Sequence, residues 1–293
     1  MSLRTRFVLS FALLAGLTVA FGRADAQDKI DGTKAKAFAL ESLKKVKVEK
    51  PGVFESENFI VVGTFSDDKA KALATVLEKA YVVGRKAAKL DDKDTAWKGK
   101  LVVYYLPDPT AFRSLVRRAF EGTPDDGPYA NFKFDPPVLV DPAELPGKPT
   151  EADLFFTTAA RVNGELLKAK GTGTQEVPAW LRDGFGRVTA MRAEGTTAKR
   201  YATYKSAAKA AVAKGAKAED VWSGAKNEAL SNSFAEFLAF GPKAADFGRV
   251  IDALKPSEEV QTPTLQAQGF AVLGWKDVAS AETAWKRWVQ TGK

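Results

Sequence analysis

The chain has 293 residues and a formal net charge of +8, and it contains neither histidine nor cysteine. Histidine is the usual proton shuttle near neutral pH and a common zinc ligand, and the cysteine thiolate is the other soft metal ligand and a common nucleophile. Their absence excludes a Ser-His-Asp triad, a Cys-His pair, a disulfide and any zinc site built on histidine.

The first 26 residues have the pattern of a secretory signal. Arg4 and Arg6 form a basic start, an uncharged run extends from Phe7 to Phe21, and Ala24-Asp25-Ala26 follows as a small-x-small cleavage site. The apolar run is shorter than the roughly 20 residues that a bilayer-spanning helix needs. We therefore expect an exported protein, periplasmic or extracellular, with no membrane span after signal removal; the alternative is an uncleaved membrane anchor.

The basic charge predicts no particular partner. Removal of residues 1–26 would take away three arginines and one aspartate and leave a formal charge of +6. A basic balance favours anionic partners, but lysines such as Lys205, Lys209 and Lys214 are spread along predicted helices, and there is no RNP-like aromatic motif. We interpret the charge as a solvated basic surface and expect no nucleic-acid partner. An exported chain without cysteine also favours a bacterial envelope.

The first half of the chain alternates helices and strands in its apolar pattern. The predicted elements are a helix over 28–50 that Pro51-Gly52 ends, a strand at Phe59–Val62, a helix from the cap Ser66 to about Leu90, a central strand at Leu101–Leu106 and a helix from Pro109. Two short strands, Tyr129–Phe134 and Val138–Val140, are predicted between turn-rich segments as a hairpin or sheet edge.

From Thr150 onward the pattern predicts helix after helix, including helix 150–170 and a solvent-facing Ala/Lys-rich helix at 197–218. The predicted fold class is therefore α+β, with a small mixed β-sheet and its helices followed by an all-helical half. The predicted organisation is a signal peptide at 1–26, an N-terminal helical segment at 27–52, an α/β subdomain at 53–150 and a helical subdomain at 151–293.

One segment carries a specific resemblance. Pro178-Ala179-Trp180-Leu181-Arg182-Asp183-Gly184-Phe185-Gly186 resembles the Pro-x-Trp-Leu-x-Glu-Gly-Phe-Ala segment of the gluzincin, peptidase-MA-like metallopeptidases, in which the glutamate is the third zinc ligand. Weaker similarity to the closing helices of such domains lies in Phe234–Leu238, Gly274-Trp275, Glu282–Trp285 and Trp288-Val289. The resemblance covers about 53–291 and implies a zincin-like architecture.

The family's zinc motif is His-Glu-x-x-His, followed by 18 residues and a glutamate, and two histidines at i and i+4 share one helical face. Counting back from Asp183 puts this motif at 160–164, on the predicted helix 150–170. Ala160 and Gly164 then occupy the histidine positions, and Arg161 occupies the position of the general base. The resemblance therefore implies a degenerate member with no metal, no cofactor and no catalytic residue.

The same alignment predicts an ion pair in place of the metal. An arginine on one helix that faces an aspartate on the next could bridge the two helices with bidentate geometry. We therefore expect Arg161 to pair with Asp183.

The functional prediction is an exported pseudo-metallopeptidase with a binding or scaffold role. Its cleft would hold a peptide or protein ligand, for example an extended peptide added to a sheet edge. The alternative is a metal-independent, glycosidase-like hydrolase, because paired carboxylates need no histidine. Its candidate acids are Glu165, Glu176 and Asp183.

Overall fold

The computed structural model describes residues 24–292 except 91–96, 126, 172–176, 223–226, 258–259 and 261–263, with side chains from residue 32 onward. The chain forms a mixed α+β structure, which confirms the coarse fold class. All strands of these ranges lie between Gly52 and Asp141, and the described residues from Glu151 onward form helices, turns and loops. The candidate Glu176, like the predicted signal up to residue 23, lies outside the described residues.

The sheet has five strands in the order β1-β2-β3-β5-β4. Their bounds are β1 Gly52–Glu55, β2 Phe59–Gly63, β3 Leu101–Tyr105, β4 Tyr129–Asn131 and β5 Val138–Asp141. β2, β3 and β5 are parallel, and an antiparallel strand lies at each edge. The predicted central strand and the predicted 129–140 hairpin are both confirmed. β1 was missed, because Pro51-Gly52, whose glycine begins the strand, was interpreted only as a helix terminator.

The helices of the described ranges are α1 Ala24–Lys44, α2 Asp67–Ala88, α3 Pro109–Ala119, α4 Glu151–Lys170, α5 Ala179–Glu194, α6 Lys199–Ala213, α7 Glu219–Trp222, α8 Glu228–Phe240, α9 Phe247–Asp252, α10 Phe270–Val272 and α11 Val278–Thr291. A 3-10 turn covers Ala244–Asp246 and a π turn covers Leu265–Gly269. None of the helices in the described part of the chain combines the length and the apolar character that a membrane span requires.

Local capping explains where several helices begin. The Ser66 hydroxyl accepts from the Lys69 backbone N–H at 3.4 Å, as expected for the predicted cap of α2. Thr150 and Asp153 form a reciprocal capping box at the start of α4. α1 instead ends before the predicted break at Pro51, because Lys47 adopts a φ of 63° and closes a turn against the end of the helix.

Helices cover both faces of the sheet. Period-two alternation sends Ile60, Val62 and Tyr104 into a core with α1 and α3, while Phe59 and Val103 enter a second core with α2 and α4. A third core lies among the C-terminal helices. α5 contributes to both the second and the third core, so it joins the sheet to the helical half.

The prediction of a solvent-facing helix over 197–218 is wrong for α6. Tyr204, Ala208 and Val212 are buried on one of its faces and pack into the core of the helical half. The Ala/Lys-rich composition concealed this face, because alanine contributes little to an apolar pattern even where the helix packs closely against its neighbours.

Candidate functional site

A cavity of about 820 Å³ lies where α4 meets the beginning of α5 and the loop that follows β5. Its lining includes all four residues that the sequence resemblance aligns with a zinc motif: Ala160, Arg161, Gly164 and Asp183. The 160–164 segment is helical and lies against the first turns of α5. The structure thus brings Asp183 to the same cavity as three residues that lie 19 to 23 positions before it in the chain.

Glycines allow α4 and α5 to approach closely at this point. A methyl group built on Gly186 would lie 2.1 Å from the carbonyl oxygen of Ala160, and one built on Gly164 would lie 3.2 Å from both Cγ and the carbonyl oxygen of Arg182. The first distance is far inside van der Waals contact. Ala160 and Gly164 therefore lie at a tight crossing of α4 and α5.

The predicted ion pair between Arg161 and Asp183 is wrong. Nη1 of Arg161 donates to Oδ1 of Asp141, at the carboxyl end of β5. Asp183 instead accepts from Nε of its neighbour Arg182 at 2.8 Å, and within the described residues no ion pair joins Arg161 to Asp183. The physical reason is burial: the Asp141 side chain is fully buried and needs a cation, whereas the Asp183 side chain is 44% exposed.

Asp141 was missed as a site residue. Its Oδ1 also accepts from the Ala143 backbone N–H at 2.7 Å, while Oδ2 has no hydrogen-bond partner among the described residues. Tyr105 is paired with Asp141 across β3 and β5. Burial, with smaller effects from Asp141 and Glu151, raises the pKa of Tyr105 to about 12. The available signal was an acid placed directly after the apolar run at 138–140.

The other arginines of the cavity have acidic partners that also line it. Arg182 lies 2.8 Å from Asp183 and 4.0 Å from Glu165. Arg187 lies 3.4 Å from Glu228, and Arg200 lies 3.0 Å from Asp153. The hydroxyl and backbone N–H of Thr150, together with Arg200, lower the pKa of Asp153 to about 2. Arginines on three helices thus surround the cavity, each with a nearby carboxylate.

The cavity continues in two directions. Towards the helical half, a space of about 540 Å³ shares Phe156, Arg187 and Arg200 with it and is lined by buried Asn232, whose Oδ1 has no hydrogen-bond partner in the described ranges. Towards the sheet, a space of about 190 Å³ borders Tyr129 and Ala130 of the edge strand β4 and shares lining residues with the main cavity. Together the three spaces form a groove from the sheet edge to α6 and α8.

A buried charge cluster holds the helices that border the groove. Glu236 on α8 is fully buried and accepts hydrogen bonds from Arg192 of α5 and from Tyr201, Tyr204 and Lys205 of α6. Burial opposes the charged form, but Lys205, the two hydroxyls and Arg192 together outweigh it, so the pKa of Glu236 lies below its ordinary value. The sequence signal was a single acid within the apolar run Phe234–Leu238.

In the part of the chain that the structure describes, no group of three or more acidic side chains is arranged to hold a metal ion. No protein-family model matches the chain, and no curated protein matches it.

Proposed function

We propose that the chain is an exported, non-catalytic relative of the gluzincin metallopeptidases that binds a peptide or protein segment in its groove. The observation that carries this proposal is that Ala160, Arg161, Gly164 and Asp183 line one cavity. These are the positions that would hold the two histidines, the general base and the third ligand.

The architecture supports the zincin-like assignment. A mixed sheet has parallel strands at its centre and a short antiparallel strand at each edge. α4 packs on this sheet, and α5 crosses α4 so that the residue in the third-ligand position reaches the same cavity as the 160–164 segment. This is the arrangement that a motif helix followed by a ligand-bearing helix requires.

The side chains of Ala160, Arg161, Gly164 and Asp183 support the proposal that hydrolytic activity has been lost. Catalytic zinc needs three protein ligands and an open position for water, and the mechanism needs a proton acceptor. Alanine and glycine offer no ligand, and Arg161 is a permanent cation held by Asp141. One acid, Asp183, is left, and its carboxylate is already bonded to Arg182.

The groove supports a binding role. β4 is the terminal strand of the sheet, and among the described residues it pairs on one side only, with β5. Its other side can accept the backbone hydrogen bonds of an added extended strand, and the spaces along the groove can take alternate side chains of that strand. A scaffold surface at the same groove is the other form of this non-catalytic role.

Metal analysis joined to a substrate screen tests the proposal. The full-length protein is purified without chelators, its zinc content is measured, and it is assayed against broad pools of peptides and glycosides. We expect no stoichiometric zinc and no turnover, together with saturable binding of peptides from the same pool. Bound stoichiometric zinc, or turnover that Asp183→Ala abolishes, would contradict the non-catalytic role.

A second candidate is a hydrolase that uses carboxylates alone. It is favoured by one observation: Glu165 and Asp183 line the same cavity, and Arg182 lies between them. Turnover in the glycoside pool that is lost in both Glu165→Gln and Asp183→Asn, but kept in Glu228→Gln at the far side of the cavity, would establish it. Equal inactivity of wild type and variants would leave the binding role.

A further inference from the structure

We propose that Arg161 is the ligand anchor of the groove and that it binds a carboxylate of the bound peptide, with Asp141 as the residue that positions it. This inference rests on the proposed binding function and specifies its ligand. The carboxylate can be the chain end of the peptide or an acidic side chain.

Arg161 presents unused hydrogen-bond donors to the cavity. A guanidinium carries five N–H donors, and one of them, on Nη1, bonds to Asp141. Among the described residues no other hydrogen bond or ion pair involves Arg161, although its side chain is only 21% exposed. The remaining donors of a side chain that is only partly exposed can bind a second acceptor, and the cavity that Arg161 lines is where that acceptor can lie.

The charge of Arg161 also differs from that of the neighbouring arginines. Arg182, Arg187 and Arg200 have acidic partners that line the cavity with them. The partner of Arg161, Asp141, is completely buried behind it and does not line the cavity. The other charged residues of the lining are Asp125 and Lys148, which are both exposed and carry opposite charges, and Glu165, which lies 4.0 Å from Arg182.

The surroundings leave room for a ligand group. Ala160 precedes Arg161 and lines the cavity with only a methyl group, whereas at Gly164 the place of a side chain is taken by Arg182. A planar guanidinium held at one end matches a carboxylate through two parallel N–H donors, which a neutral amide cannot satisfy. Asp141 orients that plane because its own position is set by β5 and by the Ala143 N–H.

The test compares two pools of random octapeptides that carry fluorescein at the amino end, one with a free carboxyl end and one with a carboxamide end. Binding to the full-length protein is followed by fluorescence anisotropy. We expect the carboxylate pool to bind about tenfold to a hundredfold more tightly, the range expected for a hydrogen bond between charged groups. Pools rich in glutamate or glutamine, both amidated, then distinguish an acidic side chain from the chain end.

Variants of Arg161 and Asp141 test whether these two residues cause the preference for a carboxylate. Arg161→Gln should remove the preference for carboxylate, whereas Arg249→Gln, at an arginine whose side chain is 72% exposed and which lies outside the cavity, should keep it. Asp141→Asn should reduce the ratio of carboxylate to carboxamide affinity while carboxamide binding stays unchanged, which a general loss of structure would not produce. Should Arg161→Gln fail to fold, Arg161→Lys replaces it and should lower the ratio.

The outcomes separate the two proposals. If the wild-type protein binds the carboxylate and carboxamide forms equally, and also binds the amidated glutamate-rich and glutamine-rich pools equally, the role of Arg161 is overturned and peptide binding stays in place. A preference that survives in Arg161→Gln would overturn it as well. Failure of every pool to bind would overturn the proposed function and, with it, this inference.

Discussion

Arg161 on α4 donates a hydrogen bond from Nη1 to Oδ1 of Asp141, a fully buried carboxylate at the carboxyl end of β5. This bond ties the helical half to the sheet at the base of the cavity. The bond engages the Arg161 side chain, which therefore serves as a cation with a fixed location.

Loss of the arginine should therefore be costly. Arg161→Ala strands the Asp141 carboxylate in the core, and we expect it to lower the free energy of unfolding by about 3–5 kcal/mol, measured by urea denaturation. The double variant Arg161→Met with Asp141→Asn should cost less than the single change, because no buried charge remains and the amide oxygen can still accept from Ala143 N–H. An effect of Arg161→Ala as small as that of Arg249→Ala, an exposed control, would contradict the burial argument.

The crossing of α4 and α5 can be tested at Gly186. A glycine in a helix normally gains about 0.5–1 kcal/mol on substitution by alanine. Here the new methyl group would lie 2.1 Å from the Ala160 carbonyl oxygen, so Gly186→Ala should instead destabilise the protein by about 1–3 kcal/mol. Gly164→Ala, whose methyl meets Arg182 at 3.2 Å, is the matched comparison and should be milder. Thermal unfolding in which Gly186→Ala is neutral or stabilising would show that the helices do not cross this closely.

The cluster around Glu236 should be among the most sensitive sites of the helical half. Glu236→Gln leaves Arg192 and Lys205 without their anion, and we expect it to cost about 3–5 kcal/mol. Tyr204→Phe removes one hydrogen bond to the same carboxylate and should cost about 1.5–3 kcal/mol. Urea denaturation midpoints rank the variants. A Glu236→Gln protein as stable as wild type would mean that the cluster contributes no net stability.

Acid sensitivity follows from the same carboxylate. The folded-state pKa of Glu236 is lowered from an ordinary value of 4.5, so its contribution to stability is fully present above about that pH. The contribution is lost as pH falls through the lowered folded value, because the unfolded chain then binds the proton more readily. Wild type should therefore lose stability faster than Glu236→Gln on acidification from about pH 5. Parallel acid titrations of unfolding free energy would contradict this assignment.

Asp153 predicts a second acid transition at lower pH. Its folded pKa is about 2 against an ordinary 3.8, because of Thr150 and Arg200, so its contribution is present above the ordinary value and disappears between the two. In that pH window the free energy of unfolding of Asp153→Asn should depend less on pH than that of the wild type. Unfolding at each pH is followed by circular dichroism. Asp277→Asn is an informative comparison at a distant helix cap, since Ser280 lowers the pKa of Asp277 as well. A curve that Asp153→Asn leaves unchanged would argue against the capping box.

Much of the local structure was accessible from the sequence. The apolar run at 101–106 predicted the central strand, and Ser66 and Thr150 predicted two helix starts, because these signals act between residues close in the chain. The alignment of 160–164 with Asp183 predicted a helical segment that faces the next helix. β1 was missed, and α6 was misjudged, because the burial of each depends on neighbours distant in sequence.

The sequence by itself determined which chemistry is excluded: without histidine or cysteine no histidine-bearing zinc site and no nucleophilic thiol can form. Only the tertiary structure decided the partners of the charges. Asp141 lies 20 positions before Arg161, and Asp183 lies 22 positions after it. The spacing in the sequence therefore favoured neither aspartate as the partner of Arg161. The Asp141 carboxylate at the end of β5 is fully buried, whereas the Asp183 carboxylate is nearly half exposed. Because a buried carboxylate loses more hydration than an exposed one, Asp141 gains more from the cation and is the partner of Arg161.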